Sequence, residues 1–125
     1  MLNKRIIFSL LYSKGYFYLS RNFRLQKVGD INWLEKNYSF NETCQYIDEL
    51  VFILVTKDPE IKEINDFFKS VDKIRKKIFA PIMIGGAIRN LNNVKDCFEN
   101  GADKIIINTE SNNSILLNQI SEIYG

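Results

Sequence analysis

Gly85, Gly86 and Ala87 end a short apolar run in the stretch APIMIGGAIRN, residues 80–90. Positions without bulk let an anion approach backbone N–H groups, and a helix beginning just beyond adds a favourable dipole. Asn108 and Thr109 close a second apolar run, KIIIN. A phosphate suits such a setting. A tight turn needing permissive backbone suits it equally well, and spacing alone does not separate the two. Other chemistry is scarce. The chain has no histidine, which removes the commonest general base, the commonest metal ligand and every Ser/His or Cys/His nucleophile pair. Cys44 and Cys97 stand far apart and match no metal spacing. No metal and no cofactor is therefore expected. Cys97, beside Phe98 in a helical pattern, reads as a small core residue, and a reducing, cytoplasmic compartment fits best.

The elements that must position these residues follow from hydrophobic pattern. The chain of 125 residues is long enough for one domain, expected to span 1–125, and its 46% hydrophobic, 26% charged composition is that of a globular protein. A net charge of +2 is too small to argue for nucleic acid or membrane, and basic residues often neighbour acids, as in Lys62-Glu63 and Asp72-Lys73. At the start, Lys4 and Arg5 precede the run IIFSLL, which is too short for a membrane span and lacks a cleavage site after it. A buried strand is expected there instead.

Strands are predicted over 6–11, 50–56, 81–84 and 104–108. Residues 12–21 read as a short hairpin or an ordered loop. VGD, 28–30, reads as a turn with Asp30 as a helix N-cap. A weakly patterned helix is expected from Ile31 to about Tyr46. A second runs from Asp58 as N-cap and Pro59 at its first position to about Lys77. A third covers 91–100, closed by Gly101 in left-handed backbone, and a fourth covers 113–124. Strand and helix alternate four times, which predicts a parallel sheet covered by helices, with ligands at the carboxyl ends of its strands.

Several pieces come in one order: MLNKRII, Asn22-Phe23, Gly29-Asp30, DELVF at 48–52, GGAIR at 85–89 and GADKIIINT at 101–109. Together they resemble the cyclase subunit of imidazole glycerol phosphate synthase, from histidine biosynthesis, over essentially the whole chain. That family is a (β/α)8 barrel of the ribulose-phosphate-binding type, built from two similar halves. The resemblance implies that this chain is one (β/α)4 half-barrel, α/β in class. It implies that Gly85, Gly86, Ala87, Asn108 and Thr109 surround a phosphate of a phosphorylated small molecule. It also implies that Arg5, Glu49 and Lys104 belong to a charged ring at the amino-terminal mouth, where ammonia enters from a glutaminase partner. Without the resemblance, those three are ordinary charges beside strands.

The departures matter as much. The family's catalytic aspartate falls on Leu11, and leucine carries no proton, so no catalytic residue is assigned. The family's lysine in the next segment falls on Leu19, and the aspartate after its DELVFL motif falls on Leu54. Ala87 replaces a third glycine. SLLYSKG resembles more closely a branch that accompanies sugar amidotransferases of surface-polysaccharide pathways. Three readings therefore stand: a cyclase-type lyase, a non-catalytic ammonia-conducting or docking partner of a glutaminase, and a truncated fragment. Four strand–helix units cannot close a barrel. A second half-barrel or self-association is therefore expected, with unpaired edges on the first and fourth strands.

Overall fold

The computed structural model describes residues 3–39, 42 and 44–125. The chain runs β1 (Ile7–Ser13), β2 (Tyr16–Arg21), β3 (Arg24–Gly29), α1 (Ile31–Tyr38) and a single 3-10 turn (Cys44–Tyr46). It continues through β4 (Glu49–Leu54), α2 (Ile61–Arg75), β5 (Ile82–Gly85), α3 (Leu91–Glu99), β6 (Lys104–Ile106) and α4 (Ser114–Tyr124). Among the described residues these strands form one sheet in the order β3-β2-β1-β4-β5-β6. β1, β4, β5 and β6 pair in parallel, as their unbroken apolar character predicts. They make part of a ribulose-phosphate-binding barrel.

Two aspartates repeat one device. Asp48 accepts the Ile6 N–H at 2.6 Å and Asp103 accepts the Ile82 N–H at 2.8 Å. Each returns its own N–H to the carbonyl of the same residue. The entries of β1 against β4 and of β5 against β6 are pinned in this way. A one-residue slip, which would turn every side chain to the other face, would break both pairs of bonds.

Register divides the sheet into two faces. Leu10, Phe52, Ile84 and Ile105 lie in one row, and this face carries the core. Phe67, Val71 and Ile74 of α2 and Val94 and Cys97 of α3 belong to the same buried cluster. Tyr12 packs between Phe17 and Phe67, with ring centroids 5.4 and 5.2 Å away. Burying a side chain such as Phe52 contributes about 1.5–3 kcal/mol. The other face holds the row Leu11, Ile53, Gly85 and Ile106. Leu11, Ile53 and Ile106 are half-buried and lie outside the helix-packed core. In a closed barrel this is the inward face.

The structure corrects several expectations. The segment after β1 is a full hairpin: β2 and β3 are antiparallel, so the sheet is not purely parallel, and Val28 and Gly29 end β3 rather than form a turn. β2 pairs with β1 only at Leu11–Ser13. Among the described residues the edges of the sheet are therefore β3 and β6. Basic Arg24 and Lys27 guard the β3 edge. Asp30 does cap α1, accepting from the Trp33 N–H at 2.9 Å, but that helix stops at Tyr38 because Ser39 turns left-handed at φ 46°. Phe40, Asn41 and Thr43, in the remainder of the expected helix, lie outside the described residues. Asp58 is not an N-cap. It adopts φ 51° in a turn, and α2 begins after Glu60. β6 ends at Ile106, two residues early. Gly101 has the expected left-handed backbone, φ +99°.

Candidate functional site

The carboxyl ends of β4, β5 and β6 open onto a cleft of about 400 Å³. Gly86, Ala87, Asn108 and Thr109 all line it, so four of the five residues predicted to surround an anion converge. Gly85 does not join them. It lies within the β5 ladder, opposite Ile53 and Ile106, and a Cβ there would meet the Ile106 Cβ at 2.9 Å. Its glycine serves close strand packing, not ligand access.

Backbone conformation turns the loop after β5 toward the cleft. Gly86 has φ 91° and Ala87 φ 56°, consecutive left-handed residues that lift the chain out of the ladder. The N–H groups of Ala87 and Ile88 take no acceptor among the described residues, whereas that of Gly86 lies next in the ladder that pairs Gly85 with Ile106. Those of Arg89 and Asn90 are already taken by Asn93 Oδ1, in a reciprocal cap with Asn90 at the start of α3. Two backbone donors thus remain on residues that line the cleft. Lys57 and Arg89 also line the cleft, and no carboxylate does. The sequence reading missed Lys57, which follows β4 just as Asn108 follows β6. It quoted Arg89 without assigning it a part.

Thr56 lines the same cleft and heads a chain of polar contacts that no motif announced. Its hydroxyl lies 2.5 Å from Ser13 Oγ and donates to Glu63 of α2. Glu63 also accepts the Lys14 N–H at 2.7 Å. Leu11 stands in the row with Ile53, half-buried and unable to move a proton. Leu54 is buried in the core and Leu19 is exposed on β2. Burial pushes the Cys97 thiol up to about 12, with Asp96 adding to the effect, so it is no nucleophile.

At the opposite, amino-terminal end the charged trio is assembled. Glu49 Oε1 accepts from Arg5 Nη1 at 3.3 Å and from Lys104 Nζ at 3.2 Å. Glu49 is only 6% exposed, and both cations remain well exposed. A buried carboxylate requires such partners.

A sequence profile described as histidine biosynthesis protein matches residues 26–125. The chain belongs to that family. Among curated relatives, a provisionally named imidazole glycerol phosphate synthase subunit hisF2 of Parasynechococcus marenigrum is 44% identical over 126 residues, covering 100% of this chain and 46% of the relative. The subunit HisF of the same synthase from Chlorobium phaeobacteroides is 35% identical, and that from Methanococcus vannielii 37% identical. Each matches 100% of this chain, which covers 48% and 44% of them respectively. The chain thus spans about half the length of the curated relatives it matches. The histidine-biosynthesis resemblance and the part-barrel fold agree. Among the described residues no helix is long and apolar enough to cross a membrane, and no group of three metal-ligating side chains occurs.

Proposed function

We propose that this chain is a phosphate-binding half-barrel related to the cyclase subunit of imidazole glycerol phosphate synthase, without the proton-transfer group that cyclisation needs. The observation that carries the reading is the meeting of the Ala87 and Ile88 backbone with Asn108, Thr109, Lys57 and Arg89 around one cleft that no carboxylate lines. Such a set neutralises an anion without any metal. Leu11, at the position of the family's aspartate, supplies no acid or base. The unit comprises 1–125 and works with a complementary half-barrel or a second copy, in the cytoplasm.

The test is titration with inorganic phosphate followed by backbone amide shifts. Shifts at Gly86, Ala87, Ile88, Asn108 and Thr109 are expected; shifts confined to Arg5, Glu49 and Lys104 would reduce the glycines to a turn. In a parallel assay with the family's bisphosphorylated substrate and free ammonia, no turnover is expected. Loss of a general acid or base alone costs about 10²–10⁴-fold. Leu11→Asp alone does not restore activity.

A second reading is favoured by the assembled trio. Glu49, held between Arg5 and Lys104, is the arrangement expected of an ammonia gate facing a glutaminase. An ammonia-conducting partner in a sugar amidotransferase system would keep this trio while dispensing with the family's aspartate, as Leu11 does. Co-purification with a glutaminase, abolished by Glu49→Lys, separates this reading from the first.

A further inference from the structure

Glu63 occupies the third position of α2, where a glutamate commonly folds back onto its own helix's first N–H. Here the N-cap residue of α2, Glu60, makes no side-chain cap, and Glu63 reaches instead to Thr56 and Lys14. Its Oε1 accepts both the Thr56 hydroxyl and the Lys14 N–H. A hydroxyl has one proton and two lone pairs. The Thr56 proton goes to Glu63, so Ser13, 2.5 Å away, is the donor of the pair Ser13–Thr56. Nothing is left on Thr56 to donate into the cleft that it lines.

We propose that Glu63 is a positioning residue for this cleft: by holding the Thr56 proton it leaves the Thr56 hydroxyl with no proton to give an anion bound there. The inference rests on the phosphate reading for its consequence, but not for its geometry. It concerns residues outside the charged trio and the glycine loop. Glu63 touches no guest; it acts through Thr56.

The test compares Glu63→Leu, Glu63→Gln and Glu63→Leu with Thr56→Val, each after its thermal transition has been recorded, with Glu63→Ala replacing Leu if that variant does not fold. In Glu63→Leu the Thr56 hydroxyl is free to turn to the anion. Phosphate affinity should rise roughly tenfold, the worth of one hydrogen bond to a charged group. Glu63→Gln still presents an acceptor oxygen and should restore the wild-type affinity. Adding Thr56→Val should cancel the gain. Equal gains in Leu and Gln would mean that charge alone acts, and would overturn the inference, as would a loss or no change in Leu.

A ligand-free arm separates this from the phosphate reading. In the wild-type spectrum the Thr56 hydroxyl proton should exchange slowly enough to be seen, and the Lys14 amide should lie downfield. Both should survive in Gln and vanish in Leu. Their absence from the wild-type spectrum overturns the inference whatever phosphate does. If they are present and no variant binds phosphate, the phosphate reading falls while the proton assignment stands.

Discussion

A Cβ placed on Gly86 would stand 2.0 Å from the carbonyl oxygen of Leu54. The loop after β5 is thus pressed against the backbone at the end of β4, with no room for a side chain. The φ of +91° at Gly86 would strain any L residue there as well. The close approach of these two backbones is what shapes the floor of the cleft.

Gly86→Ala should therefore damage the fold itself. Left-handed strain of about 1–3 kcal/mol adds to a collision that backbone atoms cannot relieve by rotating. Urea denaturation should show a lower midpoint with an unchanged slope. A bulkier replacement such as Gly86→Asp should be worse, so it cannot serve as a clean probe of anion binding.

Ala87→Gly should do the opposite. Ala87 sits at φ 56°, where an L residue loses roughly 1–2 kcal/mol; glycine relieves this but loses about 0.5–1 kcal/mol of chain entropy. A stability change between zero and a small gain is expected by thermal denaturation, with phosphate-induced amide shifts retained. A clear destabilisation would show that the Ala87 methyl packs usefully against the core.

The charged trio should respond asymmetrically. Arg5→Met or Lys104→Met alone should cost no more than about 1 kcal/mol, because each cation is largely exposed and the other remains. The two together would strand a buried carboxylate and should cost more than the sum of the single changes, up to roughly 3–5 kcal/mol. Glu49→Leu leaves only exposed cations, which water can hydrate, and should be nearly neutral. A double-mutant cycle by urea denaturation checks all three.

Stability should fall in alkali. Burial raises the Cys97 thiol from 9.0 to about 12 and raises Tyr12 in the same direction, partly offset by a hydrogen bond from Ser70. Above the unfolded thiol's 9.0, the unfolded chain binds fewer protons than the folded one, so unfolding free energy declines with pH. The Cys97 contribution is complete below pH 9 and is lost as pH rises toward 12, amounting to roughly 4 kcal/mol at most. Cys97→Ala should flatten this part of the pH profile, apart from the Tyr12 contribution. In the folded protein at pH 8, the Cys97 thiol should resist alkylation until denaturant is added.

Much of this protein is written locally. Runs such as LVFILVT and KIIIN are apolar on both faces, and a strand of that kind is stable only inside a covered or closed sheet; the four parallel strands follow from that alone. Asp30, Gly101 and the helical spacing of Phe67, Val71 and Ile74 act over one turn of chain, and they appear where their chemistry puts them. That Gly86, Ala87, Asn108 and Thr109 meet at one end of the sheet was legible because the loops after parallel strands gather there. Other features depended on partners distant in sequence. Gly85 is indistinguishable from its neighbour by sequence, but Ile106 occupies the space its Cβ would take. Asp58 has the chemistry of a helix cap, but it takes left-handed backbone two residues before the cap position of α2, at Glu60. Glu63 stands out in the sequence only as the acidic neighbour of Lys62, because its two partners lie 7 and 49 residues away. Only when the sheet brings the ends of β1 and β4 side by side does that carboxylate meet Thr56 and the Lys14 N–H, since hydrogen bonds act over about 3 Å and chain neighbours alone could not supply those donors.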